Sequence, residues 1–320
     1  MKKKHLTAFR LGFISLAITI IGICFYSCQN SVDEPQTQIE QQETLAFQQL
    51  QQDLESYTDE FLASHPQSDS RGFWSWITKI VLKAVCKVVA TDTYHFFDNL
   101  FSGRNVFEGV GAASANAFSL DKDLPKNFDY IKLNLIQRQS IDSLYEYYEN
   151  SSQSQLGKGN IKYGILHNYA ILNQIKSSEF DNSSILQKTT IQTQCIENLK
   201  NPAIKLSTPQ KQAEYITLFM ENIYSDNLTQ YQNNLTSRHP NHIEELTIIN
   251  SYIETIEEFS SLDSFREFSI GYCATIRQSA LTQQQKNNLI KLLELASEST
   301  ALWTTLVEIN PPALDSPVQE

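Results

Sequence analysis

The chain has 320 residues, of which 41% are apolar, and it carries 25 Lys and Arg against 36 Asp and Glu. With only 10 Gly and 9 Pro, that apolar share places it among globular rather than disordered chains. A net charge of −11 repels phosphate backbones, so nucleic-acid binding is not expected, nor is broad attachment to anionic membranes.

The first ten residues hold Lys2, Lys3, Lys4 and Arg10 and no acid. An apolar run from Leu11 to Tyr26 follows, a pattern typical of a secretory signal. At about 1.5 Å rise per residue such a run only marginally spans a hydrocarbon core of about 30 Å, so a permanent membrane helix is not favoured. The run ends in Phe25-Tyr26-Ser27-Cys28, which resembles a lipobox. There a bacterial transferase modifies the cysteine and a peptidase cleaves just before it. Ser27 fits the small residue at the cleavage point, whereas Phe25 and Tyr26 depart from the usual Leu and small residue.

The resemblance implies a mature chain that begins at a lipidated Cys28. Two or three acyl chains such as palmitate give stable anchoring where one gives only reversible binding. Gln29 is not the aspartate that retains such proteins at the inner membrane. Asp33-Glu34 resembles the acidic signal that directs Bacteroidota lipoproteins to the cell surface. The expected location is therefore the outer membrane, facing outward, with a periplasm-facing orientation as the alternative. Removing residues 1–27 takes four of the 25 basic residues and none of the 36 acidic ones, so 21 face 36 and the net charge becomes −15.

A polar tether is expected over 28–38. Residues 39–64 carry Ile39, Leu45, Phe47, Leu50, Leu54, Tyr57 and Phe61 at near-helical spacing. Residues 65–72, with Pro66 and Gly72, read as a linker and as a candidate sub-boundary of the domain. The stretch 73–100 predicts a helix. Lys79, Lys83 and Lys87 fall on one face of it, with Trp74 and Trp76 at one end. That suits either an interfacial membrane helix or a core helix with one wet stripe. Gly109, Gly111, Ala112, Ala113, Ser114, Ala115 and Ala117 then permit close backbone approach, in a membrane hairpin or in a soluble core.

A helix is expected over 129–150, with Ile131, Leu135, Ile136, Ile141, Leu144 and Tyr148 as its apolar face, and a polar loop over 151–160. Two medium helices follow, over 161–177 and 184–200. Thr208-Pro209 starts another, bearing Ile216, Phe219, Met220 and Ile223, which His239-Pro240 ends. Ile243, Leu246, Ile249, Ile253 and Ile256 mark the next. Asp263 is expected to cap a helix through Tyr272 and Ile276. Thr282, with Gln285 at capping-box spacing, caps the last, and Asn310-Pro311-Pro312 stops it. A disordered tail is expected over 311–320. Nothing shows the alternation of a sheet, so the fold class is all-α: a multi-helix bundle or layered helical domain over 39–310.

Five cysteines are present. Cys24 lies in the signal and Cys28 is the lipid site; Cys86, Cys195 and Cys273 are expected as buried apolar residues, with at most one disulfide among them. Tyr163-Gly164-Ile165-Leu166-His167-Asn168-Tyr169 holds a Gly-x-x-His-Asn segment on a predicted helix, with the small-residue region upstream. In this the chain resembles uncharacterised Bacteroidota lipoproteins, a resemblance that lends no activity. His167 could act as a base or ligand oriented by Asn168. It could equally be a histidine that cross-links helices. His239 and His242, followed by Glu244 and Glu245, could hold a divalent metal, although Pro240 breaks the helical spacing and favours a loop.

No P-loop, dinucleotide fingerprint or Gly-x-Ser-x-Gly is present, and no cofactor is expected. The leading expectation is a membrane-anchored helical lipoprotein that binds or scaffolds a protein or glycan partner. Membrane contact through residues 73–118 and an enzyme centred on His167 are the alternatives. Asp142-Ser143-Leu144 also resembles a short O-glycosylation acceptor pattern.

Overall fold

The computed structural model describes residues 35–65, 79–121, 123–124, 130–156, 162–177, 180, 182–201, 204–259 and 261–311. Within these the chain is all-α, with eleven α-helices and no strand. The signal segment, Cys28, Trp74, Trp76 and nearly all of the C-terminal tail lie outside the described residues. Two units are distinguished, Met1–Ala46 and Phe47–Glu320. Of the first, only the opening turns of helix α1 (Pro35–Ser64) are described.

The remaining helices belong to the second unit. They are α2 (Lys79–Phe101), α3 (Ala112–Leu120), α4 (Leu135–Leu156), α5 (Tyr163–Ser177), α6 (Ile185–Asn198), α7 (Pro209–Asn222), α8 (Leu228–Arg238), α9 (Ile243–Thr255), α10 (Leu262–Gln278) and α11 (Gln283–Ile309). Among the described residues no helix is long and apolar enough to cross a membrane.

Helices α2 and α11 form the centre of this unit. They pack on each other along much of their length, with α5 against α11 and α3 against α2. Val81, Val85, Val88, Val89, Ala90, Phe96 and Phe97 of α2 are all buried. So are Leu289, Leu292, Leu293, Ala296, Leu302, Trp303 and Leu306 of α11. Lys83 and Lys87 of the lysine stripe lie on the outer edge of this core helix. Lys83 is exposed, and Lys87 is half-buried and paired with Asp121 at 3.3 Å. The small-residue segment is a turn followed by α3, and its Ala112, Ala113, Ala115 and Ala117 are buried against protein.

Gly109 and Gly111 both adopt left-handed backbone, with φ of 64° and 75°. A Cβ at Gly109 would stand 2.6 Å from Ile216 Cδ1, and one at Gly111 would overlap Ile171. Only glycine satisfies both the conformation and the space.

Helix starts follow their capping chemistry. Thr208 accepts from the Lys211 amide with Pro209 in the first turn, and Thr282 and Gln285 form a reciprocal capping box. Several expectations are corrected. The helix expected from 39 begins at Pro35. Ile131 lies in a turn ahead of α4, and Ile131, Leu135 and Ile136 are exposed; only Ile141 and Tyr148 of that predicted face are buried. Helix α4 runs on through Leu156, so 151–156 are not loop. The segment 209–238 is two helices, because the Asn227 side chain caps a new start by accepting from the Gln230 amide. Ser261, not Asp263, caps α10; Asp263 sits in its first turn, where a carboxylate suits the helix dipole.

Candidate functional site

The central helix α2, apolar along most of its length, carries a buried polar face. On α2, Asp92, His95 and Asp98 succeed one another at three-residue steps, which places them along one side, with Asn99 beside Asp98. None is more than 5% exposed. A buried charge is tolerated only when paired and hydrogen-bonded, so each group poses the question of its partner.

Asp92 meets helices α5 and α11. Its Oδ1 lies 2.8 Å from His167 Nε2, a close ion pair set off the N–H axis, since neither atom makes a hydrogen bond of regular geometry. Its Oδ2 accepts from the Ser299 hydroxyl and, at 2.9 Å, from the Trp303 indole N–H. His167 Nδ1 lies 2.9 Å from Asn168 Oδ1. The Asn168 amide donates to the Glu298 carbonyl at 2.9 Å, which leaves Oδ1 as the acceptor and puts a proton on Nδ1. Both imidazole nitrogens thus face acceptors. Burial opposes the cation, but the Asp92 carboxylate and the bond to Asn168 outweigh it and raise the His167 pKa above its ordinary value.

The Gly-x-x-His-Asn segment has a geometric reason. A Cβ on Gly164 would come within 2.6 Å of Glu298 Cβ and 2.9 Å of the Glu294 carbonyl. Glycine therefore lets α5 press against α11, and one turn later His167 and Asn168 reach Asp92 and the Glu298 backbone. Chemically, the arrangement clamps three helices. Ser299 donates its hydroxyl to Asp92 and not to the imidazole. His167 is 2% exposed.

The second centre is Asp98, which is fully buried. Its Oδ1 accepts from Arg238 Nε at 2.6 Å and lies 2.5 Å from His239 Nε2, while Tyr215 donates its hydroxyl to Oδ2. The Arg104 guanidinium lies 3.6 Å over the Tyr215 ring. Burial disfavours the carboxylate, but the hydrogen bonds from His239 and Tyr215 and the Arg238 cation prevail and hold it at about 2, below the ordinary 3.8. Between the two acids, His95 packs edge-on against Phe219, and burial lowers it to about 4 against the pull of Asp98 and Asp92.

Of the residues singled out in the sequence, His167 and Asn168 meet in one cluster. His239 belongs to the Asp98 centre, while His242 turns to Glu245 at 3.4 Å and stacks on Phe101. Among the described residues no three His, Cys, Asp or Glu side chains converge as a metal site. Cys86, Cys195 and Cys273 are free and buried. Ser143 is exposed on α4, and its hydroxyl donates to the Gln139 carbonyl at 2.9 Å.

Asp92, Asp98, Ser299, Trp303 and Arg238 were not among the expected site residues. A signal did exist: three titratable side chains at three-residue spacing inside a largely apolar helix. Compared with protein-family models, with curated proteins and with solved structures, the chain finds no match.

Proposed function

We infer that the chain is a membrane-anchored helical lipoprotein of the outer membrane, facing the cell exterior, whose folded body binds or scaffolds a protein or glycan partner. The observation that carries this reading is Cys28, placed directly behind a basic segment and a short apolar run. The body adds two supports. His167, the residue most suggestive of chemistry, has both nitrogens engaged in the clamp between helices. The surface also exposes the apolar side chains of Ile131, Leu135 and Ile136, contact area of the kind a partner would cover.

Cells expressing the full chain and grown with labelled palmitate test the anchor. The label should enter the wild type and not Cys28→Ser, which should leave the membrane fraction. Label in both, or in neither, would overturn the lipidation. Protease added to intact cells should cut the body if it faces outward; protection would support the periplasm-facing orientation. A pull-down from native outer membranes, with a small tag at the C-terminus, tests the binding role. One stoichiometric protein or glycan supports it, and recovery of the chain alone counts against it.

A further inference from the structure

The connection between α2 and α3, residues 102–111, lies against the polar face of α2. The Arg104 amide donates to the Asn99 carbonyl, and Asn99 Nδ2 donates to the Glu108 carbonyl, both at 2.9 Å. Gly109 presses on His95: a Cβ there would stand 3.2 Å from His95 Cε1. Beyond α2, the connection is tied by single bonds to side chains or loop backbone. Asn105 Nδ2 donates to the Lys205 carbonyl, the Gly109 amide to Gln212 Oε1, and the Ser207 amide to Glu108 Oε1. Such a strap has no continuous ladder and belongs to the low-stability end of a fold. Gly103 has φ 70° and nothing within 4 Å of a Cβ built on it, so it can serve as a pivot.

Beside this strap, His95 and Asn99 stand one turn apart on α2, and both are buried. His95 Nε2 and Asn99 Oδ1 are enclosed and have no hydrogen-bond partner among the described residues. The imidazole is flanked by the Tyr215 and Phe219 rings of α7, at 5.5 Å and 5.1 Å. The charged and titratable groups that act on it are Asp92 and Asp98 of its own helix, Arg104 of the strap and His167 of α5. Both carboxylates are already committed, Asp92 to His167 and Asp98 to Arg238 and His239. Glu108 is occupied with the Ser207 amide. A proton on His95 would thus create a cation whose Nε2 has neither an acceptor nor water. Of its neighbours, α5 and α7 are held by helical ladders and buried faces, and the strap is held least firmly.

We propose that residues 102–111 form an acid-released strap: protonation of His95 lifts it from α2, and loss of that proton lets it close. Lifting gives His95 Nε2 and Asn99 Oδ1 to water, while Asp92 and Asp98 remain close to the new cation. With the strap closed, burial holds His95 at about 4; with it lifted, the imidazole regains at least its ordinary 6.5. The open form therefore binds the proton more tightly. Closure is fully favoured above 6.5 and weakens as the pH falls towards about 4. The device does not depend on the anchor.

The test is native-state hydrogen exchange of the full chain in detergent at about pH 7 and about pH 5, each rate normalised to the intrinsic rate at that pH. Protection of the Arg104, Glu108 and Gly109 amides, bonded when the strap is closed, should fall by at least about tenfold at the lower pH. Low urea should leave that exchange unchanged, because lifting the strap exposes little surface, whereas it should speed exchange along α11. His95→Gln, and His95→Phe, which keeps a ring but cannot titrate, should each show the same strap protection at both pH values. Equal protection in the wild type at the two pH values would overturn the proposal. So would an acid loss as steep in urea as that of α11, which would report unfolding of the whole domain. Both readings come from the wild type, so they hold even where a variant does not fold. An acid loss that survives in either folded variant would also overturn it.

Discussion

The imidazole of His167 stands 2.8 Å from the carboxylate of Asp92, and each side chain is no more than 2% exposed. The two come from different helices, and a third, α11, supplies the Ser299 and Trp303 donors that complete the carboxylate. Removing one partner of such a pair leaves the other charge buried without compensation. Asp92→Asn and His167→Ala should each lower stability by about 3–5 kcal/mol in urea denaturation. The double variant should lose less than the sum of the two. Losses within the range of an ordinary surface change would mean that the pair is not the clamp described above.

The acid and alkaline limbs of stability should have different owners. His95 has its pKa at about 4 in the folded chain against an ordinary 6.5, so between these values the unfolded chain binds the extra proton. Its contribution is complete above 6.5 and is lost as the pH falls towards about 4. The loss is on the order of 3 kcal/mol. Asp98, at about 2 against 3.8, adds a further decline below 3.8 as the pH falls through about 2. His167 runs the other way: its contribution is complete below 6.5 and is lost as the pH rises through its raised folded value. Urea midpoints measured across pH should therefore peak near neutrality. His95→Gln should flatten the limb between 6.5 and 4 and leave the alkaline limb in place.

Gly164→Ala should push α5 away from α11. The added methyl meets the Glu298 side chain and the Glu294 carbonyl, which is backbone and cannot swing aside. A cost of about 1–3 kcal/mol is expected. A crystal structure of the variant should show the contact between His167 and Asp92 lengthened. An unchanged midpoint would show that the helices have slack at this crossing.

The thiols of Cys86, Cys195 and Cys273 should be inert in the native protein. Burial raises Cys195 to about 12 and Cys273 to about 11, and it lifts Cys86 well above its ordinary value. A dithionitrobenzoate assay with peptide mapping should find none of these three thiols reacting fast in the native chain, and all three reacting after denaturation. A fast native thiol would contradict the packing around that residue.

Helix class and most helix starts were legible in the sequence because they depend on neighbours in the chain. Thr282 and Gln285 cap within a single turn, and Pro209 follows Thr208 directly. The break at Asn227 was not legible, since no Gly or Pro marks it and one asparagine is a weak signal by itself. Ile131, Leu135 and Ile136 misled because an apolar side chain left on the surface mimics a buried face. His167 and Asn168 stood out as adjacent residues. Their partners did not: Ser299 is 207 residues from Asp92, and His239 is 141 from Asp98. Contacts of that span leave no spacing to read, and only the polar steps along α2 hinted at them.

The polar face of α2 also bears on how the chain finds its register. An apolar helix in a bundle can slip by one turn, about 5.4 Å, and still present aliphatic surface to its neighbours. Asp92 and Asp98 remove that freedom, because a slipped α2 would carry one acid away from His167 and the other away from Arg238 and His239. The two carboxylates work like the pins of a keyed connector. They reject every misaligned assembly by the desolvation it would leave uncompensated, and they permit the single alignment in which both find their cations.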